Sequence, residues 1–448
     1  MTALHSSAPL EPGAEVDLVV TGIAHGGVGV ARHEGRVVFV ADAIPGERVR
    51  ALVTDAKKKS FARATAVEVL DASADRREHI WAEASISRAP EDRAGGAEFG
   101  HISLERQRSL KAEVLADAMS RFGGVEFATE GDDDLASALA EIVEPPPSFI
   151  DEETDEPEAD TGLGYRTRVR LHVDPETGAV GPYAARSRRV IPVESLPLAT
   201  DGVNQIAPLA DLMPGVETVD LVDPSGDDPR MLLTLSGERQ RSGASDPIHE
   251  WVEDRGFLVR AGGFWQVHRA APAVLFTAVR DAVSDLIADG RFEPGAGNLD
   301  LYGGAGLLAA AVAEAAGTGV KIATVESDAA ATEDAAENLS SLVGALAHTA
   351  RVDRHLADLL KASAPVRDRL RRGTVVLDPP RSGAGNGVTA QLVELSPMNI
   401  VYVACDPVSL ARDTRSLRDA GYELTGLRAF DIFPHTHHFE SLAVFQRA

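Results

Sequence analysis

The chain has a single cysteine, Cys405, in 448 residues. One thiol excludes any internal disulfide, and it excludes a zinc or iron–sulfur centre built from about three or four thiolates. Long apolar runs are missing as well. The longest, residues 307–316, is about half of the roughly 20 residues that a membrane span needs. The segment from Met1 has no basic stretch leading into an apolar core, so no signal peptide is expected. These absences predict a cytoplasmic protein with no membrane partner. Basic charge is scarce too: the formal net charge is −25, opposite to the surface that phosphate contacts favour. Much of that excess is local. Residues 130–160 carry a run of carboxylates from Asp132 to Asp160, with Pro145, Pro146 and Pro147 among them and no Lys or Arg. Such a composition reads as a solvated insertion rather than a binding face.

What is present organises into several domains, as a chain of this length requires. Residues 10–73 read as a small β-barrel. Alternation at Val16, Leu18 and Val20 leads into the turn His25-Gly26-Gly27, and further short apolar runs follow at 36–40 and 49–53. Lys57, Lys58, Lys59 and Arg63 form a basic patch beside Phe61. Residues 74–262 read as a strand-rich central domain holding the acidic insertion. Its helix at 103–122 has apolar residues at helical spacing and is expected to pack on the C-terminal part. At 165–173, arginines alternate with apolar residues, the pattern of a strand with one wet basic face. From residue 263 to 448 helices alternate with apolar strands, which predicts a doubly wound α/β domain of Rossmann-like architecture.

The first of these strands runs into Asp300-Leu301-Tyr302-Gly303-Gly304-Ala305-Gly306, and Glu326 ends the next. Gly304 and Gly306 let a cofactor approach the backbone, and a carboxylate at the second strand end can accept from both ribose hydroxyls. Glycines in this pattern serve nicotinamide enzymes equally well. Asp378-Pro379-Pro380-Arg381-Ser382-Gly383 distinguishes the two, because an acidic-Pro-Pro loop at a strand end suits the holding of a nucleobase beside a methyl donor.

With Gly263-Phe264-Trp265-Gln266-Val267-His268, Cys405-Asp406-Pro407 and the stretch from Phe433 to Ser441, these motifs stand in an order that resembles the RNA uracil-5-methyltransferase family, in its branch with an N-terminal TRAM domain. The resemblance covers most of the chain apart from the acidic insertion. It implies S-adenosylmethionine as cofactor, with Gln266, Tyr302, Glu326 and Asp378 among its contacts. It also implies Cys405 as nucleophile, Glu440 as proton-abstracting base, and RNA as partner of a monomeric enzyme, ribosomal RNA being preferred to transfer RNA. The chemistry suits the residue types. A thiolate added to C6 of uracil makes C5 nucleophilic, and a base must then remove the C5 proton so that the sulfur can leave. A DNA cytosine-5-methyltransferase would place Pro directly before its Cys, whereas Ala404 stands there. A non-catalytic RNA-binding or assembly protein is the other alternative.

Three departures from the family stand out. Where relatives carry cluster-binding cysteines, this chain has Ala94-Gly95-Gly96-Ala97, so no iron–sulfur cluster is expected. Asp406 replaces the usual Asn after the nucleophile, and a neighbouring carboxylate disfavours a thiolate unless something offsets it. Gly303 replaces a common Cys with no evident penalty. His435, His437 and His438 around Glu440 offer a metal-site alternative, although the family uses no metal there, and Asp358 reads as a helix-surface carboxylate rather than an adenine contact.

Overall fold

The computed structural model describes residues 10–126, 143–147 and 160–447. In the N-terminal part, period-two alternation turns one apolar face of each strand inward. The strands are β1 (Glu15–Ala24), β2 (Val28–His33), β3 (Arg36–Ala41), β4 (Arg48–Asp55) and β5 (Phe61–Asp71). They close as β1-β2-β3-β5-β4 around Val16, Leu18, Val38, Val49 and Ala64, with β3 and β5 parallel. This is the five-stranded OB-like closure, which leaves no free edge.

Helix α1 (Leu104–Arg121) follows, burying Ala112, Leu115, Ala118 and Met119. Of the acidic stretch, most lies outside the described residues, but Val143 and Glu144 form a short strand, β6. They depart from the insertion expected there because Val143 is apolar and almost fully buried, while Glu144 makes a two-pronged ion pair with Arg428 at 2.7 and 2.8 Å. The middle of the chain contains β7 (Arg168–Val173), β8 (Val180–Gly181), the short helix α2 (Asp201–Ile206), β9 (Val216–Val222) and β10 (Arg230–Leu235). The four strands make one antiparallel sheet, β10-β9-β7-β8. A separate hairpin of β11 (Pro247–Val252) and β12 (Arg255–Arg260) precedes the C-terminal sheet. Ala94 and Ala97 are buried against Trp81, Tyr165 and Leu171.

The C-terminal elements are α3 (Ala271–Ala288), β13 (Asn298–Leu301), α4 (Leu307–Ala316), β14 (Ile322–Glu326), α5 (Ala329–Asn338), β15 (Ala345–Thr349), α6 (Val352–Leu360), α7 (Ala364–Arg371), β16 (Thr374–Leu377), α8 (Gly385–Leu395), β17 (Asn399–Ala404), α9 (Pro407–Asp419), β18 (Tyr422–Phe430) and β19 (Glu440–Arg447). With β6 they form one sheet in the order β15-β14-β13-β16-β17-β19-β18-β6. β13 has β14 on one side and β16 on the other, all parallel, so the connections diverge there. Such a switch point opens a crevice at the carboxyl ends of the strands. Every residue of β13, β16 and β17 is buried, as expected of strands covered on both faces. On one face Val376, Val401 and Val403 meet α3 and α4; on the other Val375, Leu377 and Tyr402 meet α1, α8 and α9. No helix among the described residues is long and apolar enough to cross a membrane.

Candidate active site

Strand register brings the thiol and the carboxyl together. β17 and β19 are antiparallel with Ala404 opposite Ser441, so the next positions outward, Cys405 and Glu440, face each other at the carboxyl edge. The loop that delivers Glu440 is held from α1. The Lys111 ammonium, itself buried, pairs with buried Asp431 and donates to the Phe433 carbonyl at 3.0 Å, and Arg108 reaches the other Asp431 oxygen at 3.1 Å. Gln107 accepts from the His435 amide at 2.7 Å, and the Tyr165 hydroxyl donates to the Pro434 carbonyl at 3.0 Å. Here the histidines part company. His435 is committed to Gln107 and to the Thr161 carbonyl, while His437 pairs with Glu98 at 3.6 Å.

The pocket is electrostatically costly. Burial pushes the Cys405 thiol up to about 12, and the carboxyls of Glu440 and Asp378 add to that push. Glu440 is itself 5% exposed, its Oε2 has no hydrogen-bond partner among the described residues, and burial holds it well above the usual carboxylate range. Burial and the nearby Asp300 push Asp378 up to about 7. Arg381 is the cation that favours the charged forms of both Cys405 and Glu440. Asp406 is among the lesser influences on the thiol. Its Oδ1 caps α9, accepting from the Ser409 amide at 2.8 Å and hydroxyl at 2.7 Å, and its Oδ2 lies 2.7 Å from His25 Nε2. Those hydrogen bonds hold its carboxyl below the usual range in spite of burial.

The Asp378–Gly383 loop is fastened from α9. Buried Asp413 accepts from the Ala384 amide at 2.8 Å and the Tyr402 hydroxyl at 2.7 Å, and Ser409 donates to the Arg381 carbonyl at 2.8 Å. Gly383 has φ +77°, and a Cβ there would lie 2.8 Å from Asp413 Oδ2. Only glycine allows both the turn and the clamp.

At the neighbouring strand ends the backbone turns left-handed at Tyr302 (φ 62°), Gly304 (50°) and Gly306 (89°). No atom lies within 4 Å of where a Gly304 Cβ would be, so the peptide there is open to a ligand. Glu326 is preset: its carboxylate accepts from the amides of Gly304, Ser327 and Asp328 and from the Ser327 hydroxyl. At Gly303 the surrounding space admits glycine alone. A Cβ at that position would overlap Thr324 Oγ1, whose hydroxyl donates to Asp300 at 3.0 Å, and would lie 2.6 Å from Asp300 Oδ2. Gln266 lies just before α3 and lines a cleft of about 540 Å³ with Trp265, Thr167 and Glu250, which shares no lining residue with the Cys405 cavity. Asp358 is on the surface, paired with Lys361 at 3.5 Å. An open peptide, an oriented carboxylate and a strand-end crevice fit an adenosyl cofactor.

Residues 9–67 match the TRAM domain, and residues 299–448 match the family described as tRNA (Uracil-5-)-methyltransferase. An uncharacterized RNA methyltransferase of Streptomyces avermitilis is 34% identical, over 97% of this chain and 99% of that one. A 23S rRNA (uracil(1939)-C(5))-methyltransferase of Alkalilimnicola ehrlichii is 31% identical, over 98% and 97%. The chain belongs to the RNA uracil-5-methyltransferase family. It is thus an S-adenosylmethionine-dependent RNA methyltransferase with an N-terminal TRAM barrel. The fold agrees with the crystal structure of Pyrococcus abyssi tRNA (uracil-54, C5)-methyltransferase in complex with S-adenosyl-L-homocysteine. There the TM-score is 0.64 at 18% identity, covering 95% of this chain and 99% of the other.

Two features of this methyltransferase are not what the sequence pattern implies. The wet basic face expected at 165–173 is partly spoken for. Arg168 donates to the Ala261 and Gly263 carbonyls and pairs with Glu250, and Arg170 is forked onto Asp220. Alternation located the outward positions but not the loop that covers one of them. His25 is the other. The motif around it reads only as a turn, and no local signal pairs it with a residue 381 positions away. On the barrel, Lys58 and Arg63 do lie over the Phe61 ring, at 5.1 and 5.7 Å.

Proposed function

We propose that this enzyme methylates C5 of a uridine in RNA, with Cys405 as covalent nucleophile and Glu440 as base. The supporting observation is the antiparallel register that sets thiol and buried carboxyl side by side beyond Ala404 and Ser441, beside the Asp378 loop. Cys405 gives up its proton to solvent and adds as the thiolate to C6 of the target base, and the ring electrons move onto O4, leaving C5 nucleophilic. When bound, S-adenosylmethionine supplies an electrophilic methyl group on a cationic sulfur. Tyr302, Gly304, Gly306, Glu326, Asp378 and Gln266 are the residues that would hold it. Glu440, acting as the carboxylate, then takes the proton from C5, the C5–C6 double bond re-forms, and the Cys405 sulfur leaves as the thiolate. High basicity serves that last step, since a buried carboxylate whose Oε2 has no hydrogen-bond partner among the described residues gains much from a proton.

Two relatives named for the C5 of a 23S rRNA uridine, from Alkalilimnicola ehrlichii at 31% identity and Shewanella sediminis at 29%, make ribosomal RNA our preferred substrate. Transfer RNA would use the same residues. A uridine must leave its stack for Cys405 to reach C6.

RNA carrying 5-fluorouridine tests the chemistry, because fluorine at C5 cannot be removed as a proton and the adduct persists. Incubated with cofactor, the enzyme should form a denaturation-resistant RNA–protein adduct that is absent from Cys405→Ala. An adduct of equal yield with that variant would refute the role of Cys405. Methyl transfer by Cys405→Ala should fall by about 10³-fold or more. Mapping 5-methyluridine in ribosomal and transfer RNA of a deletion strain identifies the substrate.

A further inference from the structure

The turn joining β1 and β2 belongs to the barrel, yet it forms a wall of the cavity onto which Cys405 opens. That cavity, about 140 Å³, is lined by His25, Gly26 and Gly27 together with Arg381, Cys405 and His438. Two contacts hold the turn in place. Gly27 approaches the 431–439 loop so closely that a Cβ would lie 2.6 Å from His437 Cβ and 2.9 Å from Phe99 Cε1. His25 Nε2 lies 2.7 Å from Asp406 Oδ2, on the residue directly after the thiol. Asp406 therefore has two tasks, capping α9 with one oxygen and meeting the barrel with the other.

We propose that His25 is a positioning residue for the nucleophile, fixing the Cys405–Asp406 turn from the barrel side and offsetting the carboxylate that this chain carries beside its thiol. The proposal rests on the reading of Cys405 as nucleophile. A carboxylate one residue from a thiol disfavours the thiolate, and a cation paired with that carboxylate removes most of the penalty. His25 suits the task, since its hydrogen bond to Asp406 raises its proton affinity, against burial and the nearby Arg412. The other charges acting on Cys405 are Glu440, Asp378 and Arg381, and Lys111, His437 and His438 also line the cavity. A change at His25 leaves every one of them in place. The His25 side chain is half exposed, so replacing it removes little packing.

Because Cys405 is the only thiol, iodoacetamide reads its ionisation directly. In His25→Ala, alkylation at pH 7 should slow about two- to threefold and its pH profile should move to higher pH. The kcat for methyl transfer should fall with it, while KM for RNA stays put. Asp406→Ser keeps a helix cap but removes the group that His25 meets. In that background, adding His25→Ala should leave alkylation unchanged. Wild-type alkylation by His25→Ala, or an equal slowing in the Asp406→Ser background, would overturn the proposal. So would a rise in RNA KM alone, which would make His25 an RNA contact. If the unaltered enzyme forms no adduct with any RNA, the reading of Cys405 as nucleophile fails instead, and the alkylation comparison shows that separately.

Discussion

Two stretches of one sheet edge, a few strands apart, are built in opposite ways. At Glu326 both carboxylate oxygens already have donors, so the group is aimed before any ligand arrives. At the second stretch Cys405 is half-buried and Glu440 buried, and Glu440 Oε2 has no partner among the described residues. Burial pushes both away from their charged forms. The first arrangement suits recognition, which gains from preorganised acceptors. The second suits reaction, which gains from groups whose charge is stabilised only when the reacting partners are present.

Glu440→Gln attacks the second arrangement and should have the larger effect. Turnover should drop by about 10² to 10⁴-fold while an adduct with ordinary RNA accumulates, because sulfur cannot leave until C5 loses its proton. Unchanged turnover would move the base elsewhere. Glu326→Ala attacks the first. Cofactor affinity, measured calorimetrically, should weaken about 10- to 100-fold, with kcat at saturating cofactor nearly intact. A loss confined to kcat would break the distinction between the two stretches. Asp300 sharpens it, since it lies under the cofactor loop yet behaves like the nucleophile pocket: fully buried, with Oδ1 unpartnered among the described residues and its carboxyl pushed by burial up to about 7. A folded-state value above the unfolded one means that the native protein binds the extra proton. Stability from this group is therefore complete near pH 4 and is lost as pH rises through about 7. Asp300→Asn should stabilise the protein by roughly 1–4 kcal/mol at pH 8 and by almost nothing near pH 4, read from thermal unfolding. A gain independent of pH would contradict it.

The strand ends that carry Tyr302, Glu326, Asp378 and Cys405 were legible because each closes an apolar run, and such ends converge in a parallel sheet. Period-two alternation likewise exposed β1, and a short apolar run exposed β3. β18 and β15 were not picked out. β15 lies at the sheet edge with Leu346 exposed, and β18 mixes Glu423, Thr425 and Gly426 into its run, so neither shows the apolar density of a central strand. The register of β19 against β17, which makes neighbours of Cys405 and Glu440, is a property of pairing and leaves no mark in either segment alone. Contacts between the barrel and the catalytic edge are hidden for the same reason. His25, Arg168 and Gly303 each owe their roles to partners that chain spacing does not announce.

Gly303 carries a consequence for how this sequence can change. The space that a side chain would need there is filled by the Thr324 hydroxyl and by the Asp300 carboxyl to which it donates. A smaller residue at 324 would still leave Asp300 Oδ2 2.6 Å from a Cβ at 303, and would strip that oxygen of its hydroxyl donor. Positions 300, 303 and 324 are therefore coupled: a side chain at 303 needs compensation at both of the others. Lineages carrying a side chain at 303 and lineages carrying glycine should accordingly differ at 300 and 324 as well.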